Sequence, residues 1–221
     1  TKVSSSHMNT SFTEVKQMKI QANAKAFRTI ALALYKNVHA AIIREGSQNS
    51  FDSHLKKKQT KPFEISLPTA FNPIYKIQDF GIAMEESFIE DDERGYLAIF
   101  ASSKDNTNTQ NGGYGIGKCV WLTLTDSYIL TNIKNNLKSI YNIFLNNEGI
   151  PCLAKISSEK TTEHSGVTIE FSVNQSDIPH FFNNLNVLKW FPNPPIVKNG
   201  DSIIEIYPVE KSQISGKDWF F

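Results

Sequence analysis

Early in the chain, the spacing of hydrophobic residues changes from helical intervals to short strand-like runs. Ala24–Leu34 and Val38–Lys58 place apolar residues at helical intervals and are rich in Ala, Leu and Lys, so both predict helices. Phe63–Leu67 and Ile74–Ile77 are short apolar runs, each directly preceded by a proline, which is typical of strands. The rough alternation of Val15–Gln21 predicts one more strand near the start.

Strands dominate the pattern in the second half of the chain. A short helix is expected within Phe88–Ser103, and a short apolar helix is expected after Lys118. Three or four strands are predicted next, at Ser127–Ile133, Ser139–Leu145, Cys152–Ile156 and Val167–Val173. A helix at Asp177–Leu188 and a strand at Ile203–Tyr207 complete the pattern. Helices gathered early and strands gathered late predict an α+β fold, a two-layer sandwich with helices packed on one face of a mixed β-sheet.

Composition narrows the class of protein. A chain of 221 residues with 40% hydrophobic and 11% aromatic content can build one domain with a sizeable core. The net charge of +1 gives no electrostatic argument for nucleic acid or for an anionic membrane. Cys119 and Cys152 match no metal-ligand spacing and favour a reducing cytosol. No apolar run approaches the roughly 20 residues of a membrane span, no secretory signal opens the chain, and residues 1–8 are interpreted as a vector-derived leader.

A glycine-rich segment, NGGYGIGKC at Asn111–Cys119, has nearly the spacing of a Walker A phosphate loop. Cys119 stands where that motif needs Ser or Thr, and a thiol is a poor ligand for the hard Mg²⁺ ion. The polar run before it, Asp105–Gly112, is unsuited to the buried strand that precedes a Walker A loop. The segment instead predicts a mobile lid that ends in glycines at a helix start, where free N–H groups favour phosphate.

The predicted helix before it carries polar residues in phase with its apolar face. Steps of three and four along the helix give the series Val38, Ala41, Ile42, Glu45, Asn49 and Asp52. One interpretation is that the helix emerges into solvent after Ile43. The other is a metal and water site on the inward face, with the Asn49 oxygen on Mg²⁺ and Glu45 polarising an attacking water. The histidines on this helix, His39 and His54, have no partner at ligand spacing and favour surface or core roles.

A third element follows the strand-like run that ends at Ile77. In QDFGIAM, Asp79 is followed by Gly81 and then by Met84. Alone, Asp-x-Gly after a strand is typical of an ordinary turn. An aspartate at a strand end can also accept a hydrogen bond from an adenine amino group, while a glycine lets the base approach the backbone. The helix, this motif and the glycine lid, found in that order, are more specific together than any one of them.

This order of elements resembles the GHKL ATPase superfamily of gyrase B, MutL, the large heat-shock chaperone and the histidine kinases. The resemblance implies a Bergerat fold over residues 9–208 that binds ATP and Mg²⁺, with Glu45 as the general base and Asn49 as the metal ligand. It implies the following ATP-binding residues: Asn49, Asp52, Ser53, Asp79, Gly81, Met84, Ser103, Lys104, Gly112, Gly113, Tyr114, Gly115, Ile116, Gly117 and Lys118.

Within that superfamily, the chain is most similar to the amino-terminal domain of phage RIIA rapid-lysis proteins. The likeness rests on segments between Ile20 and Gly200: AKAF, YKNVHAAIIRE, ASSK, GGYGIGK and TDSYILT. It implies a phage protein of lysis inhibition in the cytoplasm of the infected host, peripheral at the inner membrane through a missing domain or a partner. It further implies an unknown protein partner, a nucleotide-dependent homodimer and no nucleic acid, with residues 209–221 as an aromatic tail leading to an absent downstream domain.

Three positions depart from the superfamily pattern. Ala83 stands where the adenine motif usually has its second glycine, and Val167 replaces a threonine hydroxyl, with Thr168 expected on the opposite strand face. Lys118 either adds charge at the phosphates or is a solvated helix lysine. The expected function is ATP·Mg²⁺ binding with slow hydrolysis that drives a conformational switch. The alternative is an interaction module that binds nucleotide without turnover, or not at all, within a phage or host defence complex.

Overall fold

A computed structural model describes residues 35–91, 95–96, 117–209, 215–216 and 219–220, with side chains omitted at 117–119 and beyond 209. The predicted strand Val15–Gln21 and helix Ala24–Leu34 lie outside these residues. The helices are α1 (Val38–Lys57), α2 (Glu86–Ile89), α3 (Ile178–Asn183) and two 3₁₀ helices, Gly117–Thr123 and Leu185–Trp190. The strands are β1 (Glu64–Leu67), β2 (Ile74–Gln78), β3 (Ser127–Lys134), β4 (Leu137–Leu145), β5 (Pro151–Lys160), β6 (Gly166–Ser172), β7 (Ile196–Asn199), β8 (Ser202–Ile204), β9 (Ser215–Gly216) and β10 (Trp219–Phe220).

Strands β1 to β8 form one mixed sheet in the order β5-β4-β3-β6-β2-β1-β7-β8, and β9 pairs with β10 separately. The pairs within the large sheet are antiparallel except that β1 runs parallel to β7, with Glu64 opposite Ile196. Helices α1 and α3 and both 3₁₀ helices pack together in the helical layer. The α+β sandwich predicted from the sequence is confirmed.

Helix α1 has clear signals at both ends. At its start, the Asn37 side chain accepts a hydrogen bond from the Ala40 amide at 3.1 Å, as an N-cap does. At its end, Lys58 adopts the left-handed conformation with φ of 56°. The predicted helix Val38–Lys58 is therefore confirmed to within one residue. Its buried face consists of Ala41, Ile42, Ile43, Gly46, Ser47, Ser50 and His54.

The core between the layers is built around aromatic rings. Tyr75 on β2 stacks on Phe181 of α3 with ring centroids 4.8 Å apart and lies 5.4 Å from Phe171 on β6. Trp121 of the first 3₁₀ helix lies 6.0 Å from Phe171, and all four rings are buried. Large buried rings contribute much of the stability of such a core. They fix the helical layer over the middle of the sheet, where β2 leads into Asp79.

Several predicted boundaries need correction. The helix predicted at Asp177–Leu188 is two short elements, because α3 ends at Asn183 and a 3₁₀ helix begins at Leu185. The strand predicted at Ile203–Tyr207 ends at Ile204. The four-residue strand β7 went unpredicted, because two prolines precede it and its pairing with β1 is a tertiary contact. No helix within the described residues combines the length and apolar character needed to cross a bilayer.

Candidate functional site

Asp79 lies directly after β2, at the start of a tightly bonded loop. Its carboxylate is buried, with 7% of the residue exposed. Oδ1 accepts hydrogen bonds from the Gly81 amide at 2.8 Å and from the Ser53 hydroxyl at 3.3 Å. The Asp79 amide in turn donates to the carbonyl of Val167 on β6 at 2.9 Å. The loop is thereby joined both to helix α1 and to the sheet.

Burial raises the pKa of Asp79 from 3.8 to about 6, because removal from water disfavours the charged form. Hydrogen bonds from the Gly81 backbone, Ser53 and the Val167 backbone oppose this shift, and so does the nearby charge of Lys57. Above pH 7 the group is mainly a buried carboxylate, which can only accept hydrogen bonds. Such a group is suited to a ligand that presents an N–H donor.

Two glycines allow the backbone segments around Asp79 to approach closely. A Cβ added at Gly81 would lie 1.9 Å from Ser53 Oγ and 2.6 Å from the Ser53 carbonyl carbon. A Cβ added at Gly166 would lie 2.0 Å from the Asp79 carbonyl oxygen. Both separations are far inside van der Waals contact. Glycine is therefore required where α1 and β6 meet the loop.

Three side chains from the end of α1 and the residues after it hold the Phe80 peptide. The Phe80 amide donates to His54 Nε2 at 2.8 Å. Its carbonyl accepts from Lys57 Nζ at 2.7 Å and from Gln59 Nε2 at 3.1 Å. The backbone N–H and C=O of Phe80, which belong to two consecutive peptide groups, are therefore both satisfied by side chains, which is the usual requirement for buried backbone.

The far end of the loop is held from β3. The Asn132 side chain is buried, accepts from the Met84 amide at 2.9 Å and donates to the Met84 carbonyl at 3.0 Å. Ala83, the departure from the superfamily pattern, is buried with 3% exposure, while its neighbour Ile82 is 47% exposed. The segment Asp79–Met84 is thus anchored at both ends by buried side chains.

The polar residues predicted on α1 are placed differently from one another. Glu45 is partly buried, with 23% side-chain exposure, and pairs with Arg44 at 3.0 Å. Asp52 is partly buried and accepts from Gln48 at 2.8 Å. Asn49 is exposed, so its prediction as part of an inward, buried face is wrong. The physical reason is the phase of the helix: the buried stripe runs one position later, through Gly46 and Ser50, and the polar residues flank it.

Ser53 connects the helix with the loop. Its hydroxyl lies within hydrogen-bond distance of Asp79 Oδ1 at 3.3 Å and of the Ile82 carbonyl at 3.2 Å. Among the predicted site residues, the structure therefore brings Ser53, Asp79 and Gly81 into direct contact. Glu45 lies eight positions earlier on α1, about 12 Å along the helix axis.

The helix that follows the glycine-rich segment packs against α1. A Cβ at Gly46 would lie 2.6 Å from Trp121 Cη2 and 3.2 Å from Ile77 Cδ1. The 3₁₀ helix Gly117–Thr123 is therefore seated against α1 at Gly46. Seven predicted site residues lie outside the described residues: Ser103, Lys104, Gly112, Gly113, Tyr114, Gly115 and Ile116. The backbone of Gly117 and Lys118 is described, but the Lys118 side chain is not.

Strand β6 carries Val167, a second of the three departures from the superfamily pattern. Val167 is partly buried and packs against the hydrophobic core. Thr168 pairs with Gln78 of β2 and with Thr131 of β3 in the sheet register. Because successive side chains on a strand point to opposite faces, the Thr168 hydroxyl does not substitute for one at position 167. The side of the loop next to β6 is therefore apolar at this position.

Two buried polar residues of the site, His54 and Asn132, were missed as functional residues in the sequence. His54 lies in phase with Ser47 and Ser50 on the buried stripe of α1, which is the signal that could have found it. Asn132 falls between Leu130 and Ile133, in a strand that is otherwise apolar toward the core. A buried amide or imidazole in such a place needs a hydrogen-bond partner, and here both partners are backbone groups of the Asp79–Met84 loop.

Comparison with known proteins supports the fold assignment. No family model matches this chain, and neither does any curated protein sequence. Among solved structures, the chain is similar to the ATPase region of topoisomerase II from Saccharomyces cerevisiae, bound to dexrazoxane, with a TM-score of 0.57 and 13% identity. The match covers 76% of this chain and 49% of that ATPase region, so this chain spans about half the length of the structure it matches. At this identity the likeness shows the fold alone, an α+β sandwich shared with that ATPase region.

Proposed function

We propose that this domain binds ATP·Mg²⁺ between helix α1 and the Asp79–Met84 loop and hydrolyses the nucleotide slowly. The observation that carries the proposal is the buried Asp79 carboxylate, bonded to Gly81 and Ser53, in a loop that Gly81 and Gly166 allow to lie close against α1 and β6. It is found in a fold similar to an ATPase region. The Asp79–Met84 loop is called the base end below, and Glu45 with Asn49 the phosphate end.

Adenine fits the chemistry of the base end. An ionised aspartate accepts a hydrogen bond from the 6-amino group of adenine, whereas the 6-oxo group of guanine would face it with a second acceptor. The lack of a side chain at Gly81 lets the loop pack against Ser53 of α1, whose hydroxyl helps to hold the Asp79 carboxylate in place. Exposed Ile82 and partly buried Met84 supply apolar surface for stacking. The base end is therefore expected to select ATP over GTP.

The donors at the phosphate end fit a magnesium nucleotide. Mg²⁺ is usually held by one or two protein oxygens together with phosphate oxygens and water, and the exposed amide of Asn49 can supply one. When bound, the ion neutralises charge that develops on the phosphates. Glu45, one turn earlier, would orient a water molecule and take its proton. Lys104 and Gly112–Lys118 would close on the phosphates, so that positioning and charge neutralisation carry the reaction.

The biological setting we propose is a nucleotide-dependent conformational switch in a phage RIIA-like protein of lysis control or exclusion. Support comes from the order of sequence segments, from AKAF through ASSK and GGYGIGK to TDSYILT. In that setting the domain would act in the host cytoplasm, at the inner membrane through another domain or a protein partner. Closure on ATP would favour a homodimer. We propose no nucleic-acid partner for this domain.

A second candidate function is an interaction module that binds nucleotide without turnover. Two observations favour it: the buried methyl group of Ala83 in the base end, and the packing of Val167 where a hydroxyl would help to hold adenine. The Glu45 carboxylate favours the enzyme, because a module without turnover has no need of a base. The two candidates differ in phosphate release and agree in ATP binding.

Calorimetric titration with ATP, ADP and GTP, with and without Mg²⁺, tests the binding proposal. We expect ATP and ADP to bind, ATP to bind more tightly with Mg²⁺, and GTP to bind weakly. Asp79→Ala serves as a negative control for the pocket. The absence of binding by any nucleotide at millimolar concentration would refute the site.

Phosphate release by Glu45→Ala tests the catalytic assignment. We expect turnover to fall at least about a hundredfold, the typical effect of losing a general base, with ATP affinity unchanged within a few-fold. Glu159→Ala on the exposed part of β5 is the matched control and should retain full activity. Equal turnover in Glu45→Ala and the wild type would remove Glu45 from the mechanism. ATP binding without phosphate release by the wild type would leave the interaction module.

A further inference from the structure

His54 is a buried histidine near the end of α1. Its side chain lies at the buried end of α1, with 7% of the residue exposed, between the rings of Phe63 and Phe80. The Phe80 amide donates to its Nε2 atom at 2.8 Å. An amide nitrogen can only donate, so Nε2 carries no proton and the neutral ring holds its proton on Nδ1.

The backbone N–H that His54 holds belongs to Phe80, the residue between Asp79 and Gly81. Lys57 and Gln59 donate hydrogen bonds to the carbonyl of Phe80, while His54 accepts a hydrogen bond from its amide. Loss of the Nε2 lone pair would leave a buried N–H without an acceptor, at a cost that favours movement of the loop. Since Gly81 also donates to Asp79, movement of this peptide displaces the carboxylate.

The charges around His54 oppose its protonation. Burial and the charge of Lys57 lower the pKa of His54, while the hydrogen bond with the Lys61 backbone raises it in part. From the segment after α1, the Lys61 ammonium lies 3.5 Å from the centre of the Phe80 ring. From the loop, the acidic group next to Phe80 is Asp79, and its carboxylate is engaged by Gly81 and Ser53. A proton on His54 would therefore add a cation beside two lysines.

We infer that His54 is a positioning residue for the Asp79–Met84 loop, and that its protonation in acid releases the loop and weakens nucleotide binding. The inference rests on the proposed function for its effect on nucleotide. Its effect on the loop stands apart from nucleotide, because the hydrogen bond to Phe80 is a property of the protein alone. His54 touches neither the base nor the phosphates and is not a catalytic residue.

Three variants separate this role from a merely structural one. His54→Gln keeps an acceptor without a group that titrates, and His54→Phe keeps a ring without an acceptor. His39→Gln is the control, because His39 is also a histidine whose pKa burial lowers, but it lies at the opposite end of α1, about 22 Å away. Its partner is Asp177 of the helical layer, at 3.1 Å.

The first measurement is calorimetric ATP affinity at pH 7.5 and pH 5.5. We expect the wild type and His39→Gln to lose about tenfold or more on acidification, the effect of one unmade buried hydrogen bond added to the titration of Asp79. His54→Gln should bind like the wild type at pH 7.5 and lose clearly less at pH 5.5. His54→Phe should bind weakly at both values. A His54→Gln profile that follows the wild type would overturn the inference.

The second measurement needs no nucleotide and follows the protein by NMR. We expect ¹⁵N shifts of neutral His54 with the proton on Nδ1, and a Phe80 amide whose exchange protection falls between pH 7.5 and pH 5.5. In His54→Gln that protection should persist at both values. If no nucleotide binds, the proposed function fails and the Phe80 amide alone decides the positioning role. Equal Phe80 protection in the wild type at both pH values would overturn it, even if His54→Phe does not fold.

Discussion

The base end and the phosphate end of the candidate site are built in opposite ways. Between Asp79 and Met84, buried side chains from α1 and β3 bind the backbone at several points, and the Asp79 carboxylate is nearly sealed from solvent. At the phosphate end, Asn49 is exposed, and Glu45 has 23% of its side chain exposed and pairs with the surface residue Arg44. Folding itself therefore fixes the base end, whereas the phosphate end carries side chains that the fold does not need.

Because of this difference, we expect the stability of the fold and the activity of the site to depend on different residues. Substitutions at the base end should change both the free energy of unfolding and nucleotide affinity, because the same hydrogen bonds serve both. Substitutions at the phosphate end should change affinity or turnover with little effect on unfolding. A site preorganised at one end in this way loses less entropy when the base is bound. The following predictions test the comparison, beginning with the largest change in stability.

Gly81→Ala should destabilise the fold by about 3 kcal/mol or more and abolish ATP binding, because the added Cβ overlaps the Ser53 backbone, which cannot move without α1. Urea unfolding followed by fluorescence measures the change. Ile82→Ala, in the same loop but 47% exposed, is the control and should cost under about 1 kcal/mol. Similar costs for both variants would mean that the loop is not held against α1.

Asp79→Asn should bind ATP more than about tenfold less tightly and yet unfold less readily at pH 8. The pKa of Asp79 is raised in the fold from 3.8 to about 6, so its stability contribution is greatest below the unfolded value and is lost as the pH rises through 6. At pH 8 the variant should gain up to about 3 kcal/mol, and its excess over the wild type should shrink toward pH 4.

Thermal and urea unfolding between pH 4 and pH 8 measure this difference. Asp201→Asn, which removes an exposed carboxylate in the β7–β8 turn, is the charge-matched control and should stay within about 0.5 kcal/mol of the wild type. A loss of stability in Asp79→Asn at pH 8 would contradict a buried carboxylate that the protein retains for its ligand.

Asn132→Ala should destabilise the fold by about 2 kcal/mol, because the amide and carbonyl of Met84 both lose their partner. ATP affinity should also fall, since Met84, at the end of the Asp79–Met84 loop, is no longer held by β3. Asn186→Ala, an exposed amide on the second 3₁₀ helix, is the control and should leave both quantities unchanged. Hydrogen exchange of the Met84 amide gives an independent measure, which should rise only in Asn132→Ala.

Asn49→Ala should change stability least, within about 0.5 kcal/mol, because the residue is exposed and Ala is the better helix former. Its affinity for ATP with Mg²⁺ should nevertheless fall, while its affinity for ATP without Mg²⁺ should match the wild type. Titration with and without the metal measures both values. A large loss of stability would place Asn49 in the core and remove the contrast between the two ends.

The elements that the sequence predicts well are those whose signals are local. Proline and apolar runs identify β1 and β2, and helical spacing identifies α1 to within one residue. Asp79 and Gly81 are found because a strand followed by Asp-x-Gly is a short and legible pattern. In these cases the neighbours in sequence are also the neighbours that matter in the fold.

What the sequence does not reveal depends on tertiary contact. Contacts with Trp121 and Ile77 decide which face of α1 is buried. Because these contacts are not visible in the sequence, the sequence cannot show whether Asn49 is exposed or buried. The role of His54 becomes visible only when the loop after β2 brings Phe80 to it. Strand β7 exists because β1 offers it an edge, and four residues after two prolines carry too little pattern of their own.

The parallel pairing of β1 with β7 also governs when the fold can close. Lys198 on β7 pairs with Glu64 on β1 across 134 residues of chain, at 2.6 Å between Nζ and Oε2. On a ribosome, β1 and β2 emerge long before their last neighbour and present an unpaired edge while the intervening strands are made. Contacts so distant in sequence slow folding, and open edges invite association. Synthesis of this domain should therefore depend on chaperones until β7 is released, and a ribosome stalled before residue 196 should hold an aggregation-prone chain.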